Sequence, residues 1–464
     1  MKKPVLYVLL VLGISLIAAF TGFTTEQVFA IAIFVGFICG TLLFWEFRLA
    51  FALVGIALLL GSGLLDVPHL IEFASLDVIL FLVGMMILVG YLEEKHFFNW
   101  ALDKTLPYIN HSATKLMTAL MIFSFFSAAF VDEVTSILFM AAIMLRVCRH
   151  YKVNPVPFII MIVFATNIGS SATVVGNPVG VLIALRSGYS FPDFLRWASP
   201  ISIIGLVITT VLSLWYFRKP MAELQASIKR VHQVEKEAGT AAAEETYDSK
   251  DMRLPGLLFV LTIAGLIAHK AIEDALGLGH NVMLVGVALL AAGVVLFVTR
   301  DHAKRLVETR VDWWTLSFFM LLFASAGTLQ YVGVTSHLAE GMINLTGGNV
   351  RPLFVVVTWG IGLLTAFMDN VLAVASFIPI VGDLAEAGMQ VAPLWWGMLM
   401  GGTIAGNLTF IGSTANIVAI GMLEKEEKKS ISFMEWFWPG LVTVIPTLVV
   451  ATILLYIQIP LMLN

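Results

Sequence analysis

The sequence predicts an all-α polytopic membrane protein, with about 11 transmembrane helices and two re-entrant hairpins in two inverted repeats. Hydrophobic residues make up 59% of the 464-residue chain and charged residues only 12%, whereas soluble domains average about 45–50% and 25%. Apolar runs of about 17 residues or more, enough to cross a hydrocarbon core of about 30 Å, recur along the whole chain. One polar pattern also occurs twice inside such runs.

The repeated pattern is an acidic tip between two apolar legs, followed by an apolar run that Gly, Asn, Ser and Thr interrupt. The first copy has legs 113–131 and 134–147 joined at Asp132-Glu133 and a broken run 156–186; the second has legs 350–368 and 371–388 joined at Asp369-Asn370 and a broken run 392–420. The offset between the copies is nearly constant, because Asp369 follows Asp132 by 237 residues and Gly412 follows Gly176 by 236. This regularity indicates an internal duplication.

The duplication predicts the organisation of the chain. We expect an extra N-terminal helix in 1–26, a first repeat in 27–217, a solvated cytoplasmic linker in 218–253 and a second repeat in 254–464. Each repeat contains five spans and one two-legged hairpin. An odd number of crossings turns the second repeat upside down relative to the first.

Lysine and arginine predict the orientation, because cytoplasmic loops carry an excess of both. With the N-terminus inside and the linker left aside, cytoplasmic segments hold 16 of these residues and external segments hold four. The sequence therefore predicts a multi-pass protein of the cell membrane, with a cytoplasmic N-terminus and an external C-terminus. The residues after Phe20 do not match a small-residue cleavage pattern, so we expect the first apolar run to be a retained helix.

The two acidic tips are the leading candidates for a coupling-ion site. A carboxylate at membrane depth is costly unless it is paired, hydrated or bound to a cation. Asp132 and Asp369, with Glu133 and Asn370 beside them, can bind Na⁺ or take up protons, since burial disfavours the charged form. The alternative is that these residues are loop tips or helix caps at the membrane surface. The second leg 134–147 is short for a full span, which favours tips inside the membrane.

The broken runs are the predicted substrate-binding segments. A helix that opens inside a membrane frees backbone carbonyls and amides, which are tolerated only where they line a cavity or have partners within the protein. The neutral donors and acceptors in these segments are Asn167, Ser170, Ser171, Thr173 and Asn177 in the first copy and Thr403, Asn407, Thr409, Ser413, Thr414 and Asn416 in the second. The alternative interpretation is close helix packing through small residues.

Other features have structural interpretations or argue against further functions. Tryptophans at span ends, Trp396 and Trp436 among them, are expected to anchor helices at the membrane interface. Cys39 and Cys148 lie far apart and predict neither a disulfide framework nor a metal site. The chain has no His-Glu-x-x-His motif, and we expect no enzyme, no nucleic-acid partner and no cofactor. The coupling ion would be Na⁺ or H⁺, and the only metal Na⁺ at the two aspartates.

At the tips and the broken runs, the sequence resembles the ArsB/NhaD-type permeases of the ion transporter superfamily. The matching residues are the tips Asp132-Glu133 and Asp369-Asn370, Asn-Ile-Gly-Ser-Ser-Ala-Thr-Val-Val-Gly-Asn-Pro at 167–178, and Gly-Asn-Leu-Thr-Phe-Ile-Gly-Ser-Thr-Ala-Asn at 406–416. The resemblance extends from about residue 27 to the end. This group includes arsenite efflux permeases, NhaD-type Na⁺/H⁺ antiporters and relatives of the melanosomal P protein with a citrate-transporter-like domain.

The resemblance implies a proton- or sodium-coupled secondary transporter, for Na⁺/H⁺ antiport or for efflux of arsenite or another small anion. It also implies a homodimer in the lipid bilayer that works by elevator-type alternating access. A divalent-anion (citrate or dicarboxylate)/cation symporter is the alternative, and an ion channel a further one. Symporters of that kind carry Ser-Asn-Thr at the hairpin tips, whereas this chain has Val131-Asp132-Glu133 and Met368-Asp369-Asn370. The difference favours a cation or proton site built from carboxylates.

The orientation gives a first testable prediction. A cysteine introduced at Ser227, in the predicted linker, should react with a membrane-impermeant thiol reagent only from the cytoplasmic side. A cysteine at Ser336 should react only from outside. Labelling with the opposite sidedness would contradict the orientation and the inverted arrangement of the repeats.

Overall fold

The computed structural model describes residues 3–103, 112–238 and 251–463, and all regular structure within these ranges is helical. Ten of the described helices are long and apolar enough to cross a membrane, a count that includes both legs of the first hairpin. The count rises to eleven if Trp313–Tyr331 and Val334–Thr346, which meet at 70°, form one span. The predicted all-α polytopic fold is confirmed.

The helices fall into two sets. The first set is α1 (Lys3–Phe20), α2 (Thr25–Leu43), α3 (Arg48–Gly61), α4 (Val67–Phe73), α5 (Leu76–Glu94), α6 (Phe97–Asp103), α7 (Ala113–Phe130), α8 (Glu133–Tyr151), α9 (Val156–Ser170), α10 (Pro178–Ser187), α11 (Phe191–Trp197), α12 (Ser199–Tyr216) and α13 (Arg218–Ala238). The second set is α14 (Arg253–Leu276), α15 (Val282–Thr299), α16 (Ala303–Arg310), α17 (Trp313–Tyr331), α18 (Val334–Thr346), α19 (Val350–Phe367), α20 (Asn370–Glu386), α21 (Ala392–Ala405), α22 (Thr414–Glu427) and α23 (Phe433–Met462).

The order of the helices repeats. The series α5, α7–α8, α9–α10 and α12 is followed later by α17, α19–α20, α21–α22 and α23. Equivalent helix starts carry equivalent caps, since Ser190 forms a capping box with Asp193 and Ser432 forms one with Glu435. The internal duplication is thus visible in the helix order, while the exact domain boundaries stay a prediction.

One end of the helix bundle, here called the basic end, is marked by Arg146, Arg149 and Arg310. Arg149, in the last turn of α8, pairs with Glu426 near the end of α22 at 2.7 Å. Arg310 pairs with Glu93 near the end of α5 at 2.8 Å. One cavity is lined by Arg146 of α8, by Glu93 and by Arg310. The C-terminal ends of α5, α8 and α22 therefore lie together.

The opposite end contains the start of α5. Asp77, in the first turn of α5, pairs with Arg186 in the last turn of α10 at 2.9 Å. Arg186 also lines a cavity with Gln330 near the end of α17 and Ile378 of α20. From its tip, α20 thus runs towards this end, whereas α8 runs from its tip towards the basic end. The two hairpins point in opposite directions, which is the arrangement expected of inverted repeats.

The interpretation of 218–253 as a solvated linker is wrong for its first part. Residues Arg218–Ala238 form α13, and this helix packs against α7 and α8. Met221, Leu224 and Ile228 are buried. The side chain of Gln225 accepts a hydrogen bond from the backbone N–H of Ala113, at the start of α7 (2.9 Å).

The reason for this difference lies in the spacing of the apolar residues. Met221, Leu224 and Ile228 stand at positions i, i+3 and i+7, which is the pattern of one helix face. The many charges between them make the segment look uniformly polar when only its composition is considered. The rest of the predicted linker, 239–250, lies outside the described residues.

A second difference is α18, which the spans predicted from the sequence did not include. The chain turns between α17 and α18 at Gly333, whose φ of +78° suits glycine. Asp383 of α20 ties this joint to the second hairpin, because its carboxylate accepts hydrogen bonds from Gln330 (2.8 Å), Thr335 (2.5 Å) and Ser336 (3.0 Å). The end of the α20 leg is therefore fixed to the bend between α17 and α18.

The buried face of α13 gives a testable prediction. Leu224→Ala should lower the free energy of unfolding by about 2–5 kcal/mol, because it removes a fully buried side chain and leaves a cavity. Glu223→Ala, at the exposed neighbouring position, is the matched control and should change stability little. The measurement is thermal unfolding of the purified variants in detergent. Equal stability of both variants would mean that α13 does not dock on α7 and α8.

Candidate functional site

The tip of the first hairpin is a short turn between α7 and α8 in which Asp132 is the N-cap. The Asp132 carboxylate accepts hydrogen bonds from the backbone N–H groups of Val134 and Thr135, both at 2.8 Å. This is ordinary capping of a helix start. Asp132 itself is half-buried, whereas Glu133, the first residue of α8, is 1% exposed. The cap thus fixes the turn, and the next side chain enters the protein interior.

The tip of the second hairpin repeats this arrangement with a different second residue. Asp369 caps α20 by accepting a hydrogen bond from the N–H of Val371 (3.0 Å). The hydroxyl of Thr414, the first residue of α22, donates to the other oxygen of Asp369 (2.6 Å). Asp369 is 2% exposed, and Asn370 occupies the position that corresponds to Glu133. The two tips are therefore chemically unequal.

Glu133 is the point at which the hairpins and the broken helices meet. Its carboxylate accepts hydrogen bonds from Ser170 at the end of α9 (3.1 Å), from the amide group of Asn370 (3.4 Å) and from Ser413, the N-cap of α22 (3.4 Å). Asn177, the N-cap of α10, donates in turn to the hydroxyl of Ser170 (2.8 Å). The donors belong to both repeats, so Glu133 connects the two hairpins with the two broken helices.

The breaks in the helices bring backbone segments very close together. In the first copy, a Cβ atom at Gly176 would lie 2.2 Å from the carbonyl oxygen of Ser170. In the second copy, a Cβ atom at Gly412 would lie 2.6 Å from the carbonyl oxygen of Gly406. No side chain fits at either position. The glycines that mark the two motifs are thus required by close packing of the opened chain.

The two broken helices cross at their breaks through asparagine side chains. The Asn167 amide donates to the side-chain oxygens of Asn407 and Asn416, both at 2.7 Å. Asn416 donates to the carbonyls of Gly406 (2.8 Å) and Thr409 (2.9 Å), which the open helix leaves without helical partners. These side chains replace the helical hydrogen bonds lost at the second break.

A threonine in each break holds the break against the adjacent hairpin. The Thr173 hydroxyl donates to the carbonyl of Ala129 in the last turn of α7, and the Thr409 hydroxyl donates to that of Ala366 in the last turn of α19 (2.5 Å). These contacts occupy equivalent positions in the two repeats. They satisfy carbonyl groups near the C-terminal ends of the hairpin legs, which lack partners further along the helix.

A cavity of about 240 Å³ connects the tips with the basic end. Asp132, Glu133 and Thr414 line its inner part, and Glu93 and Arg310 line the part near the basic end. The half-buried Asp132 carboxylate and Arg310 of the basic end therefore border the same cavity.

Most of the predicted site residues lie together, and two lie apart. Ser171 shares a hydrogen bond with Ser202 of α12 (2.7 Å), and its side chain faces away from Glu133 towards that helix. The Thr403 hydroxyl donates to the carbonyl of Leu399 within its own helix (2.6 Å). Both hydroxyls thus bond to helix atoms away from the tips. Their positions are better explained by helix packing, the alternative that the sequence left open.

Sequence reasoning misinterpreted two tryptophans and missed one arginine. Trp436 is fully buried and donates to the carbonyl of Asn407 in the second break (3.1 Å), so its interpretation as an interface anchor is wrong. Trp396 is also fully buried, which contradicts the same interpretation. Arg48, at the start of α3, is 9% exposed and donates to Thr315 of α17 (2.8 Å). No sequence pattern distinguishes these residues from neighbouring aromatic and basic residues at helix ends.

Comparison with known proteins agrees with this fold. A family model described as "Citrate transporter" matches residues 41–401 and 342–462. An uncharacterized transporter of Mycobacterium bovis is 31% identical over 388 residues, covering 82% of this chain and 86% of that protein. The human P protein is 24% identical over 81% of this chain, which spans 52% of that longer protein. The resemblance inferred from the motifs is confirmed.

A solved structure has a similar fold. The YdaH transporter of Alcanivorax borkumensis superposes with a TM-score of 0.57 at 18% sequence identity, over 88% of this chain and 89% of that one. At this identity the likeness concerns the fold alone. Taken with the family match, the apolar helices and the paired breaks, it leads to one assignment: this chain belongs to the citrate transporter family of the ion transporter superfamily, and it is a multi-pass secondary transporter, not an enzyme.

Proposed function

We propose that this transporter exchanges Na⁺ for H⁺, and that both ions compete for the carboxylates at the hairpin tips. One observation carries the proposal. Asp132, Glu133 and Asp369 lie together where the two hairpin tips meet the breaks of the two broken helices, a region here called the crossing. Ser413 donates to Glu133, and its neighbour Thr414 donates to Asp369 and lines the same cavity as Asp132. Consecutive residues at the start of α22 thus hold Glu133 and Asp369, and Asp132 lines the cavity beside them.

The charges around the crossing favour a cation over an anion as the transported species. Across residues 3–103, 112–238 and 251–463, no lysine, arginine or histidine forms an ion pair with Asp132, Glu133 or Asp369. Carboxylates inside a membrane require a cation or a proton to offset their desolvation. Carboxylate and amide oxygens are also the ligand types that suit a hard cation such as Na⁺. The buried Arg48 guanidinium acts electrostatically on Asp369 without forming an ion pair with it, and Na⁺ or H⁺ supplies the further positive charge that the other carboxylates require.

The direction of the hairpins supports alternating access. The tips meet at the crossing from opposite ends of the bundle, and the cavity beside them leads to the basic end. Access from the other end requires that the tips and breaks move relative to helices such as α5 and α17. Elevator-type movement within a homodimer, Na⁺ or H⁺ as the coupling ion, and a basic end that faces the cytoplasm belong to this proposal.

A second candidate is transport of a citrate-like anion together with cations, and the family match is the observation that favours it. In this case the cations would bind at the carboxylates and the anion would bind beside them. Efflux of arsenite is a third candidate function, because a small neutral acid can hydrogen-bond to the asparagine and serine side chains at the breaks. The carboxylate-rich crossing supports ion exchange more directly than either.

The proposal is tested with purified protein in liposomes, by imposing Na⁺, H⁺, citrate and arsenite gradients one at a time. The parent protein should acidify or alkalinise the lumen in response to a Na⁺ gradient without either anion. Asp132→Asn and Asp369→Asn should abolish this exchange, because they remove the charge and keep the size and capping capacity. Both variants should remain folded, since removing a buried charge also removes its desolvation cost.

Asp66→Asn is the matched control for these variants. Asp66 is also an N-cap, for α4, and accepts a hydrogen bond from the N–H of His69 (2.8 Å), but it lies outside the crossing. The Asp66→Asn variant should exchange Na⁺ for H⁺ at the rate of the parent. Normal exchange in both tip variants would contradict the coupling-site assignment. If flux requires citrate and persists without a Na⁺ or pH gradient, the protein is an anion transporter and the ion-exchange hypothesis is wrong.

Glu133→Gln should behave differently from the aspartate variants. Both Glu133 oxygens accept hydrogen bonds, but glutamine offers one acceptor oxygen and turns an NH₂ group towards the amide of Asn370. We therefore expect a loss of about 1–3 kcal/mol in stability in addition to lost exchange. Thermal unfolding in detergent, compared with Asp132→Asn, measures the difference. A Glu133→Gln protein as stable as Asp132→Asn would show that Glu133 does not organise the crossing.

A further inference from the structure

A cavity of about 720 Å³ at the basic end lies outside the crossing. One wall is α8 of the first hairpin, and the facing wall is formed by the end of α5, by α6 and by α16 with the turn before it. Glu93, Leu138 and Arg310 also line the smaller cavity that leads to the tips. This large cavity, here called the vestibule, thus stands at the mouth of the route to the site.

The described residues that line the vestibule include more arginines than carboxylates. The guanidinium groups of Arg146, Arg305 and Arg310 line it together with the carboxylates of Glu93 and Glu94. Arg310 donates to both carboxylates, at 2.8 Å and 3.4 Å. Among the described lining residues, three guanidinium groups stand against two carboxylates, which makes the vestibule attractive to an anion.

The α8 wall is apolar except at its basic-end rim. Leu138, Ala142 and Arg146 follow one another at intervals of four residues and share one helix face. Leu138 is 37% exposed, and Phe139 and Ile143 adjoin the same strip. An apolar strip that leads up to arginine side chains matches a ligand with a hydrocarbon part and an anionic head.

We propose that the vestibule binds a phosphate group, with the headgroup of an anionic phospholipid as its source. Arginine forks match phosphate oxygens through paired hydrogen bonds. Basic pockets between membrane helices, on the side that carries the positive loops, suit anionic lipid headgroups. The acyl chain then lies along Leu138 and Ile143, and the phosphate meets Arg146 and Arg305. The site is separate from the carboxylate crossing and does not depend on which ion is exchanged.

This lipid contacts two parts of the protein at once. Its binding links the α8 leg, which carries Glu133 at its other end, to α16 and the end of α5. An occupied vestibule therefore holds the first hairpin in the position seen here, and anionic lipid tunes the rate at which the tips move.

Lipid binding is tested by native mass spectrometry of the detergent-purified protein with phosphatidylglycerol or phosphatidylcholine added. The parent should retain phosphatidylglycerol and not phosphatidylcholine. Arg305→Gln should weaken this binding roughly tenfold, because one charge-assisted hydrogen bond is lost. Arg300→Gln removes the same charge from an exposed position outside the vestibule and should bind like the parent. Size-exclusion chromatography establishes that each variant is folded.

Inorganic phosphate distinguishes the two sources of the ligand. If millimolar phosphate raises the melting temperature of the parent but not of Arg305→Gln, while neither lipid binds, the vestibule takes a soluble phosphate. Equal phosphatidylglycerol binding by the parent, Arg305→Gln and Arg300→Gln, with no effect of phosphate, would overturn the proposal. Because binding is measured without transport, failure of the exchange hypothesis does not affect this result.

Discussion

The structure depends on hydrogen-bond partners for the backbone carbonyl and amide groups that are freed at the breaks of two helices. These breaks lie in the interior of the helix bundle. Water cannot serve this purpose in an apolar interior, so each opened carbonyl or amide requires a partner from the chain. Asn416 supplies partners for the carbonyls of Gly406 and Thr409, and Asn167 joins Asn416 to Asn407. Glu133 then accepts from the residues that end α9 and begin α22. The members of the crossing thus satisfy one another's hydrogen bonds.

Both repeats provide these hydrogen-bond partners with equivalent residues. The caps at Asp132 and Asp369 close equivalent turns, and Thr173 and Thr409 hold equivalent breaks against the legs α7 and α19. Each repeat therefore fixes its own tip and break locally. Contacts between the repeats, such as those of Asn167 and Glu133, then set how the two local units fit together.

Local chemistry could be predicted from the sequence, whereas contacts between the repeats could not. The acidic tips and glycine-rich breaks are visible because a charged or polar residue inside an apolar run is costly and therefore rare. The sequence favoured the paired Asp132 and Asp369, but Glu133 and Asn167 each make three hydrogen bonds across the repeats, with partners up to 280 residues away. Helix α13 was missed because composition hid the spacing of three apolar residues.

One feature of the tips, glutamate in one repeat and asparagine in the other, affects the energetics of the whole cycle. Inverted repeats can exchange conformations, so identical repeats would yield an inward-open and an outward-open state of equal energy. Glu133 can carry a negative charge and Asn370 cannot, and both positions are almost fully buried. Under the proposed alternating access, this difference makes the two states unequal in energy, and about 1.4 kcal/mol makes one of them tenfold more populated. In the proposed cycle, one such difference between the repeats is enough to favour one of the two states.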